Sequence, residues 1–150
     1  LDLNLLISES IEGANIQALN NNIIISNAIH SKLEVFADEI MFRLILRNLL
    51  SNAIKYTPQG GQVSVSANSG SNHSTIISVK DTGIGIPAEI LNKLFRIDSS
   101  NKRHGTDGES SSGLGLVLCK EFVEKHRGSI SVESEDGKGS EFSFSIPGKV

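Results

Sequence analysis

Two pairs of segments in which apolar and polar residues alternate constrain what this chain can fold into more than any other feature. The first pair is QVSVSAN at residues 62–68 and STIISVK at 74–80, and the second is SISVES at 129–134 and SEFSFSI at 140–146. Apolar and polar residues alternate along each segment, which is typical of half-buried β-strands. A short glycine-containing connection joins the members of each pair, and this favours antiparallel hairpins.

Helical patterns lie between these hairpins. The strongest pattern covers residues 39–56, where Asp38 is a plausible N-cap and Pro58 limits the helix at its carboxyl end. Its apolar positions follow the period of an α-helix and are expected to form one buried face: Ile40, Leu44, Ile45, Leu49 and Ala53. Shorter helices are predicted within residues 1–20, at 88–95 and at 113–126.

Two further strands are predicted near the amino end, at residues 22–29 and 33–37, with a turn at 30–32. Paired strands with helices between them favour an α+β protein over repeated β-α-β units. We therefore expect one domain over residues 1–150. Its fold is expected to be a two-layer α/β sandwich, in which helices cover one face of a mixed, mostly antiparallel sheet.

The composition excludes several classes of protein. The formal net charge of −3 argues against a nucleic-acid binder, because such domains are usually basic. Cys119 is the one cysteine, so no disulfide can form within the chain, and we expect a reducing, cytoplasmic compartment. No apolar run approaches the roughly 20 residues that a membrane span requires, so no membrane contact is expected. Because the chain begins at Leu1, we expect it to be part of a longer protein.

The first segment that suggests chemistry is the end of the long predicted helix. Asn48 and Asn52 are four residues apart and share a helix face. Lys55 lies near that face, and Tyr56 is one turn beyond Asn52. Amide oxygens can bind Mg²⁺, a lysine can neutralise phosphate, and a tyrosine ring can cover a planar base. The alternative is that these asparagines merely face solvent.

The second segment, DTGIGIP at residues 81–87, directly follows a predicted strand. Its glycines allow a tight turn and a close approach of the backbone to a ligand. Asp81 at the strand end can accept a hydrogen bond from an exocyclic amine. The alternative is a simple turn in which Asp81 bonds only to its own backbone.

The third segment, SGLGL at residues 112–116, opens a predicted helix and so could present backbone N–H groups to an anion. No P-loop sequence is present, and Leu118 stands where a dinucleotide fingerprint needs its third glycine. The preceding residues, 98–112, have the polar composition of a mobile loop.

The remaining candidates carry weaker signals. The glycines of GKGSEF, residues 137–142, are explained by a hairpin turn, which leaves Ser140 as the one candidate for ligand contact. No histidine pair has metal-ligand spacing. Cys119 lies on the apolar face of a predicted helix and is expected to be a core residue rather than a nucleophile.

The order and spacing of these segments resemble the histidine-kinase branch of the gyrase- and MutL-like ATPase superfamily, which has the Bergerat fold. Residues 48–56 resemble the N box, and residues 81–87 resemble the first glycine box. Residues 94–100, LFRIDSS, resemble the F box, and residues 113–116 resemble the second glycine box. The resemblance covers nearly the whole chain and implies a transferase that binds ATP and Mg²⁺.

The resemblance also implies roles for single residues. Asn52 would bind Mg²⁺ with help from Asn48, and Lys55 would meet the phosphates. Asp81 would accept a hydrogen bond from the adenine amino group, assisted by Ser140. Residues 96–112 would form a lid over the ATP. The other residues implied to contact the nucleotide are Tyr56, Gly83, Gly85, Ile86, Arg96, Ser112, Gly113, Leu114, Gly115 and Leu116.

The chain departs from the family pattern at three places, and the first is the F box, which is short and has a single phenylalanine, Phe95. Ser111 stands where relatives often have a further glycine, and Arg127 stands where a glycine often ends the helix, so Gly128 is expected to take over that role.

Relatives that hydrolyse ATP carry a glutamate base where this chain has Asn48. An amide cannot act as a base near neutral pH, which favours phosphoryl transfer over hydrolysis.

We therefore expect a catalytic domain that donates the γ-phosphate of ATP to a histidine in two-component signal transduction. The acceptor histidine would lie on a separate dimerisation domain, absent from this chain, so the chain alone is expected not to phosphorylate itself. The whole protein would be a homodimer that passes its phosphoryl group to a response regulator. Two alternatives stay open: a serine-directed kinase of the same superfamily, and a degenerate module that binds partners without nucleotide.

Overall fold

The computed structural model describes residues 1–29, 32–91, 95, 103–104, 110–111 and 114–148 of the chain. Four helices are present in this part: α1 (Leu3–Asn20), α2 (Glu39–Lys55), the short α3 (Ala88–Leu91) and α4 (Leu114–Lys125). The strands are β1 (Ile24–Asn27), β2 (Gln62–Ser69), β3 (Thr75–Asp81), β4 (Arg103–His104), β5 (Ser110–Ser111), β6 (Ile130–Glu135) and β7 (Gly139–Ile146). A 3₁₀ turn, Ser71–His73, joins β2 to β3.

The sheet confirms the predicted hairpins. Its order is β1-β2-β3-β7-β6, and β4 and β5 form a separate two-stranded pair. β2 pairs with β3, and β6 pairs with β7, in both cases antiparallel. β3 and β7 are also antiparallel and join the two hairpins, whereas the edge strand β1 is parallel to β2. The result is the mixed, mostly antiparallel sheet that the sequence predicts.

The core lies between this sheet and the helices. β2, β3 and β7 place alternate residues in the core, among them Val63, Ile77 and Phe144. The residues between them face the other way, as shown by the contact of 2.8 Å between the Ser78 and Ser143 hydroxyls on neighbouring strands. The period of two in the sequence therefore produces a sheet with one apolar and one polar face.

The long helix α2 begins and ends almost where the sequence predicts. The Asp38 carboxylate caps it by accepting from the Met41 N–H at 2.9 Å. The predicted buried face is partly wrong, because Ile40 is 73% exposed. Ile40 lies in the first turn, on the side of the helix away from the buried residues. That buried face consists of Phe42, Ile45, Leu46, Leu49, Leu50, Ala53 and Ile54.

The predicted strand at residues 33–37 is wrong. The structure contains only a single antiparallel bridge there, between Asp2 and Glu34. The Leu3 N–H donates to Leu33 O at 3.0 Å, and the Val35 N–H donates to Leu1 O at 2.9 Å. The partner segment becomes helix α1 at Leu3, so it is too short for a ladder. The predicted turn at 30–32 lies mostly outside the described residues.

The end of helix α4 corrects a second expectation. Arg127, and not Gly128, takes the left-handed conformation, with φ of +62°. The Arg127 N–H donates to Glu124 O at 2.9 Å, and the Gly128 N–H donates to Val123 O at 3.0 Å, which is the pattern of a Schellman motif. Gly128 has a different function, since a Cβ there would lie 1.8 Å from Ser145 O on β7.

The other predicted helices have clear outcomes. α1 lies within residues 1–20, although Leu19, one of its periodic apolar residues, is 68% exposed. α3 begins at Ala88 as predicted, but the described helix covers only Ala88–Leu91, and residues 92–94 lie outside the described part. Among the described residues, no helix is long and apolar enough to cross a membrane.

Candidate functional site

Four segments that are distant in sequence meet at one end of the sandwich. They are the end of α2, the turn that follows β3, the beginning of α4 and the turn between β6 and β7. The Gly137 N–H donates to Ile84 O at 2.6 Å, and the Ile84 N–H donates to Tyr56 O at 3.0 Å. These two bonds join the glycine-rich turn to the β6–β7 turn on one side and to the end of α2 on the other.

Asp81 is the most constrained acidic residue of this region. It is the last residue of β3 and is only 5% exposed. Its Oδ1 accepts from the Gly83 N–H at 2.9 Å and from the Ser140 N–H at 3.2 Å. A buried carboxylate requires such donors, and two donors on one oxygen fix the orientation of the carboxylate plane. Asp81 and Ser140 are therefore joined through the Ser140 backbone, and their joint contact with adenine stays a prediction.

Sequence reasoning missed Ser134, which lies beside Ser140. The strand registers place Asp81 opposite Ser140 and Ser140 opposite Ser134, so the three residues form a row across β3, β7 and β6. The Ser134 hydroxyl oxygen accepts from the Ile86 N–H at 2.8 Å and lies 2.9 Å from the Ser140 hydroxyl. Only the register of the β6–β7 hairpin, which sequence periodicity does not give, could have revealed this row.

The glycines near Asp81 are required by close contacts within the protein. A Cβ on Gly83 would lie 2.2 Å from Tyr56 O, and a Cβ on Gly85 would lie 2.0 Å from Glu135 O. Gly139 has φ of +103°, and a Cβ there would lie 2.2 Å from Asp81 O. Sequence reasoning explained Gly139 by the hairpin turn alone, whereas the structure shows that it also lets β7 approach Asp81.

Asn48 lies where α4 begins, and Asn52 follows it one turn later on α2. Asn52 is half-buried. Its Nδ2 atom is buried and has no hydrogen-bond partner among the described residues. A Cβ on Gly115, near the start of α4, would lie 3.3 Å from the Asn48 Oδ1. Gly115 therefore allows α4 to pack closely against Asn48. A buried amide nitrogen without a partner indicates a place where a further polar group belongs.

Lys55 and Tyr56 end helix α2. Lys55 is its last residue and is half-buried. Tyr56 is the C-cap and is only 2% exposed, which leaves little ring surface for a ligand in this conformation. Ile86 and Leu116 are also buried, at 1% and 6% exposed. The contact of these residues with a nucleotide stays a prediction, and in the structure Ile86 and Leu116 belong to the hydrophobic core.

Cys119 confirms the expectation of a core residue. It is fully buried on α4, and its thiol points towards Ile45 O at 3.8 Å. Burial raises the pKa of the thiol from 9.0 to about 12, and a hydrogen bond with the Asn48 side chain acts weakly in the opposite direction. A thiol with this pKa stays protonated at neutral pH and is a poor nucleophile.

Several predicted contact residues lie outside the described part of the chain. These are Arg96, Ser112 and Gly113, together with most of the predicted lid at residues 96–112. Leu114 is described only as the first residue of α4. Within the predicted lid, residues 103–104 and 110–111 form the antiparallel β4–β5 pair. Ser111 belongs to this pair, opposite Arg103.

Comparisons with known proteins agree with this arrangement. Residues 37–150 match the family described as histidine kinase-, DNA gyrase B- and HSP90-like ATPases. The chain is 39% identical over 113 residues to the adaptive-response sensory kinase SasA of Crocosphaera subtropica, and 43% identical over 114 residues to that of Rippkaea orientalis. Each alignment covers 75% of this chain but only 29% and 28% of the relative, respectively.

Solved structures show the same fold. ShkA, solved at full length in complex with AMPPNP, superposes with a TM-score of 0.84 at 31% identity, covering 98% of this chain and 30% of ShkA. The catalytic domain of the histidine kinase ThkA, in a nucleotide-free form, gives a TM-score of 0.79 at 27% identity, covering 98% of this chain and 94% of that domain. The fold is thus the Bergerat fold, and the chain belongs to the family of histidine kinase-, DNA gyrase B- and HSP90-like ATPases.

Proposed function

We propose that this chain binds Mg²⁺-ATP and donates the γ-phosphate to a histidine on a separate helical domain. One observation carries the proposal: Asp81 is a buried carboxylate whose orientation is fixed by two backbone N–H groups, at the edge of a region that ends beside Asn48 and Asn52. A buried acceptor of this kind suits the exocyclic amino group of adenine. The match to ShkA, which is 31% identical and was solved in complex with AMPPNP, supports nucleotide binding by this chain.

The part of the region that contains Asn48 and Asn52 fits the phosphate end of the nucleotide. Asn48 and Asn52 can supply amide oxygens, which are hard ligands suited to Mg²⁺. No group of three acidic, histidine or cysteine side chains that could hold a metal occurs among the described residues. A cation here would therefore need phosphate oxygens as further ligands, and when bound it would neutralise part of the phosphate charge. The positive end of the α4 dipole would add to that attraction.

The proposed reaction is transfer rather than hydrolysis. Asn48 cannot remove a proton from water, so the site lacks a general base at this position. Positioning and charge neutralisation would do most of the catalysis. The chain covers 29% of the SasA relative from Crocosphaera subtropica, which leaves room in a protein of that length for a histidine-bearing domain. The histidine kinase ThkA, 26% identical, has been solved with a response regulator, and we propose a partner of that class here.

The whole protein is proposed to be a homodimer, in which the helical domain of each subunit presents the acceptor histidine. An ATP-dependent reaction of this kind would take place in the cytoplasm, where ATP is available. The resemblance to sensory kinases supports this role over that of a serine-directed kinase, because the named relatives are sensory kinases.

Calorimetric titration with Mg²⁺-ATP tests the nucleotide site. We expect the wild-type chain to bind with a Kd between micromolar and low millimolar, and Asp81→Asn to lose at least tenfold in affinity, because its amide can turn a donor towards the adenine amino group. Asp136→Asn, an exposed change in the β6–β7 turn, is the matched control and should bind like the wild type. Equal affinities for all three proteins would contradict the assigned adenine contact.

Labelled ATP tests the transfer step. The chain alone should acquire no acid-labile label, whereas a histidine-bearing helical domain from the same protein should acquire it when mixed with the chain. Acid-stable label on a serine of that domain would support the serine-directed kinase instead. Docking to the helical domain without any ATP binding would support a degenerate partner-binding module.

A further inference from the structure

We propose that Ser134 sets the purine selectivity of this site, because it determines which way the hydroxyl hydrogen of Ser140 points. The inference rests on the proposed binding of adenine at Asp81. It concerns a residue on β6, a strand that none of the nucleotide-binding sequence motifs includes. Ser134 would act as a positioning residue, through Ser140, rather than by touching the base itself.

The geometry places Ser134 at the centre of three hydrogen bonds. Its hydroxyl oxygen lies 2.8 Å from the Ile86 nitrogen, 2.9 Å from Gly139 O and 2.9 Å from the Ser140 hydroxyl oxygen. Ser134 is half-buried and Ser140 is 6% exposed, so water competes poorly for these contacts. The Ser140 backbone N–H simultaneously donates to Asp81 Oδ1, which couples the two serines to the carboxylate.

The three contacts assign every hydrogen in the cluster. A serine hydroxyl has one hydrogen to donate and two lone pairs to accept with. Gly139 O can only accept, so the contact at 2.9 Å takes the Ser134 hydrogen. The Ile86 N–H can only donate, so it occupies one lone pair of Ser134. The Ser140 hydroxyl must then donate to the second lone pair, since Ser134 has no other hydrogen.

This assignment leaves the Ser140 hydroxyl with lone pairs only. Together with the Asp81 carboxylate, it presents a ligand with acceptors and no hydroxyl donor. Adenine carries an amino group, a donor, at the position where guanine carries a carbonyl oxygen, an acceptor. A row of buried acceptors attracts the amino group and repels the carbonyl oxygen. Selectivity of this kind is strong when the mismatched polar groups are buried and cannot find water.

Removing the Ser134 hydroxyl should therefore release the Ser140 hydrogen. In Ser134→Ala, the Ser140 hydroxyl can rotate and donate to a guanine carbonyl, so discrimination between the purines should weaken. Ser134→Thr retains a hydroxyl at this position and should keep the wild-type selectivity. Ser131→Ala is the matched control, because Ser131 lies on the same strand, is exposed, and pairs with Ser143 on the polar face of the sheet.

The test measures the Kd of Mg²⁺-ATP and of Mg²⁺-GTP by calorimetry for the wild type and these three variants. The ratio of the GTP to the ATP dissociation constant should fall by about tenfold or more in Ser134→Ala. It should stay at the wild-type value in Ser134→Thr and in Ser131→Ala. A change in this ratio indicates altered selectivity, because a general loss of structure would weaken the binding of both nucleotides equally.

The outcomes distinguish this inference from the function on which it rests. An unchanged ratio in Ser134→Ala, or equal weakening of both nucleotides, would overturn the role of Ser134 while the ATP site stands. Absence of ATP binding by the wild type would instead overturn the proposed function. If Ser134→Ala fails to fold, Ser140→Ala provides the second test, because it removes the oriented lone pairs and should also lower the ratio; an unchanged ratio there overturns the inference.

Discussion

At the scale of single residues, two glycines have opposite surroundings. Gly85 has φ of +75°, and a Cβ there would lie 2.0 Å from Glu135 O, a backbone atom that cannot easily move away. Gly13, within helix α1, has nothing within 4 Å of the position that a Cβ would take. The same chemical change should therefore have effects of opposite sign at the two positions.

We predict that Gly85→Ala lowers the free energy of unfolding by roughly 2–4 kcal/mol, because it combines a left-handed conformation with a backbone clash. Gly13→Ala should raise it by about 1 kcal/mol, since alanine is the better helix former. Urea denaturation of both variants measures the two values. A neutral Gly85→Ala would show that the turn can move away from the β6–β7 hairpin.

Cys119 gives a prediction of pH dependence. Burial raises the pKa of its thiol from 9.0 to about 12, so the folded chain keeps this proton to higher pH than the unfolded chain. The resulting stabilisation is complete below pH 9 and is lost as the pH rises from 9 towards 12. The difference in unfolding free energy between the wild type and Cys119→Ala should therefore shrink above pH 9. Parallel curves for the two proteins would contradict this.

At the scale of elements, the helix ends show how local rules are met by unexpected residues. α1 and α4 both end in a Schellman motif, with Asn22 and Arg127 in the left-handed position at φ of +53° and +62°. Both residues carry a Cβ, but asparagine adopts this conformation more readily because its short polar side chain can form local hydrogen bonds, whereas arginine has no such compensation. Gly128 is the next residue of the motif, and its lack of a side chain allows the close approach of β7.

We predict that Arg127→Gly raises the free energy of unfolding by about 1 kcal/mol, because it removes the strain of the left-handed Cβ at the end of α4. Arg127→Ala removes the charge but keeps the Cβ, and should leave stability nearly unchanged. Thermal denaturation of the two variants beside the wild type measures the effect. Equal stabilisation by both variants would assign the gain to charge rather than to backbone conformation.

At the scale of the whole molecule, the site exists only when the sandwich is complete. Asp81 and Ser140 are 59 residues apart in sequence, yet the Ser140 N–H donates to the Asp81 Oδ1 at 3.2 Å. α4 and α2 come together through Gly115 and Asn48, which are also far apart in the chain. A ligand that contacts all of these segments binds the folded state alone, so its binding free energy adds to the stability of the fold.

We predict that Mg²⁺-ATP at about 100 times its Kd adds roughly 2.7 kcal/mol of stability and raises the Tm by about 5–10 °C. Asp81→Asn should show little shift at the same concentration, because the adenine contact is lost. Mg²⁺ alone should also have little effect, since the described residues contain no acidic cluster to hold it. Differential scanning calorimetry measures all three, and an equal shift with Mg²⁺ alone would point to a metal site independent of nucleotide.

Local patterns determined much of this protein. The Asp38 cap set the beginning of α2, and the alternation in residues 62–68 and 140–146 predicted β2 and β7 and their polar face. The expectation for Ile40 was wrong because Ile40 lies on the far side of the helix from Ile45 and Leu49. The expectation for residues 33–37 was wrong because periodicity does not show whether a strand has a partner. The motifs identified Asp81, Asn48 and Asn52 as candidates, since each lies within one short segment.

Only the tertiary structure decided how these candidates are held. Strand register placed Ser134 beside Ser140 and Ser140 beside Asp81, and no local pattern encodes pairing between segments so far apart. Close packing gave Gly128 and Gly139 their functions, because a glycine is required wherever another backbone approaches, and the chain far away in sequence determines where that happens. The sequence alone thus determined which residues could carry the chemistry, and the packing of the sheet against the helices determined which of them meet.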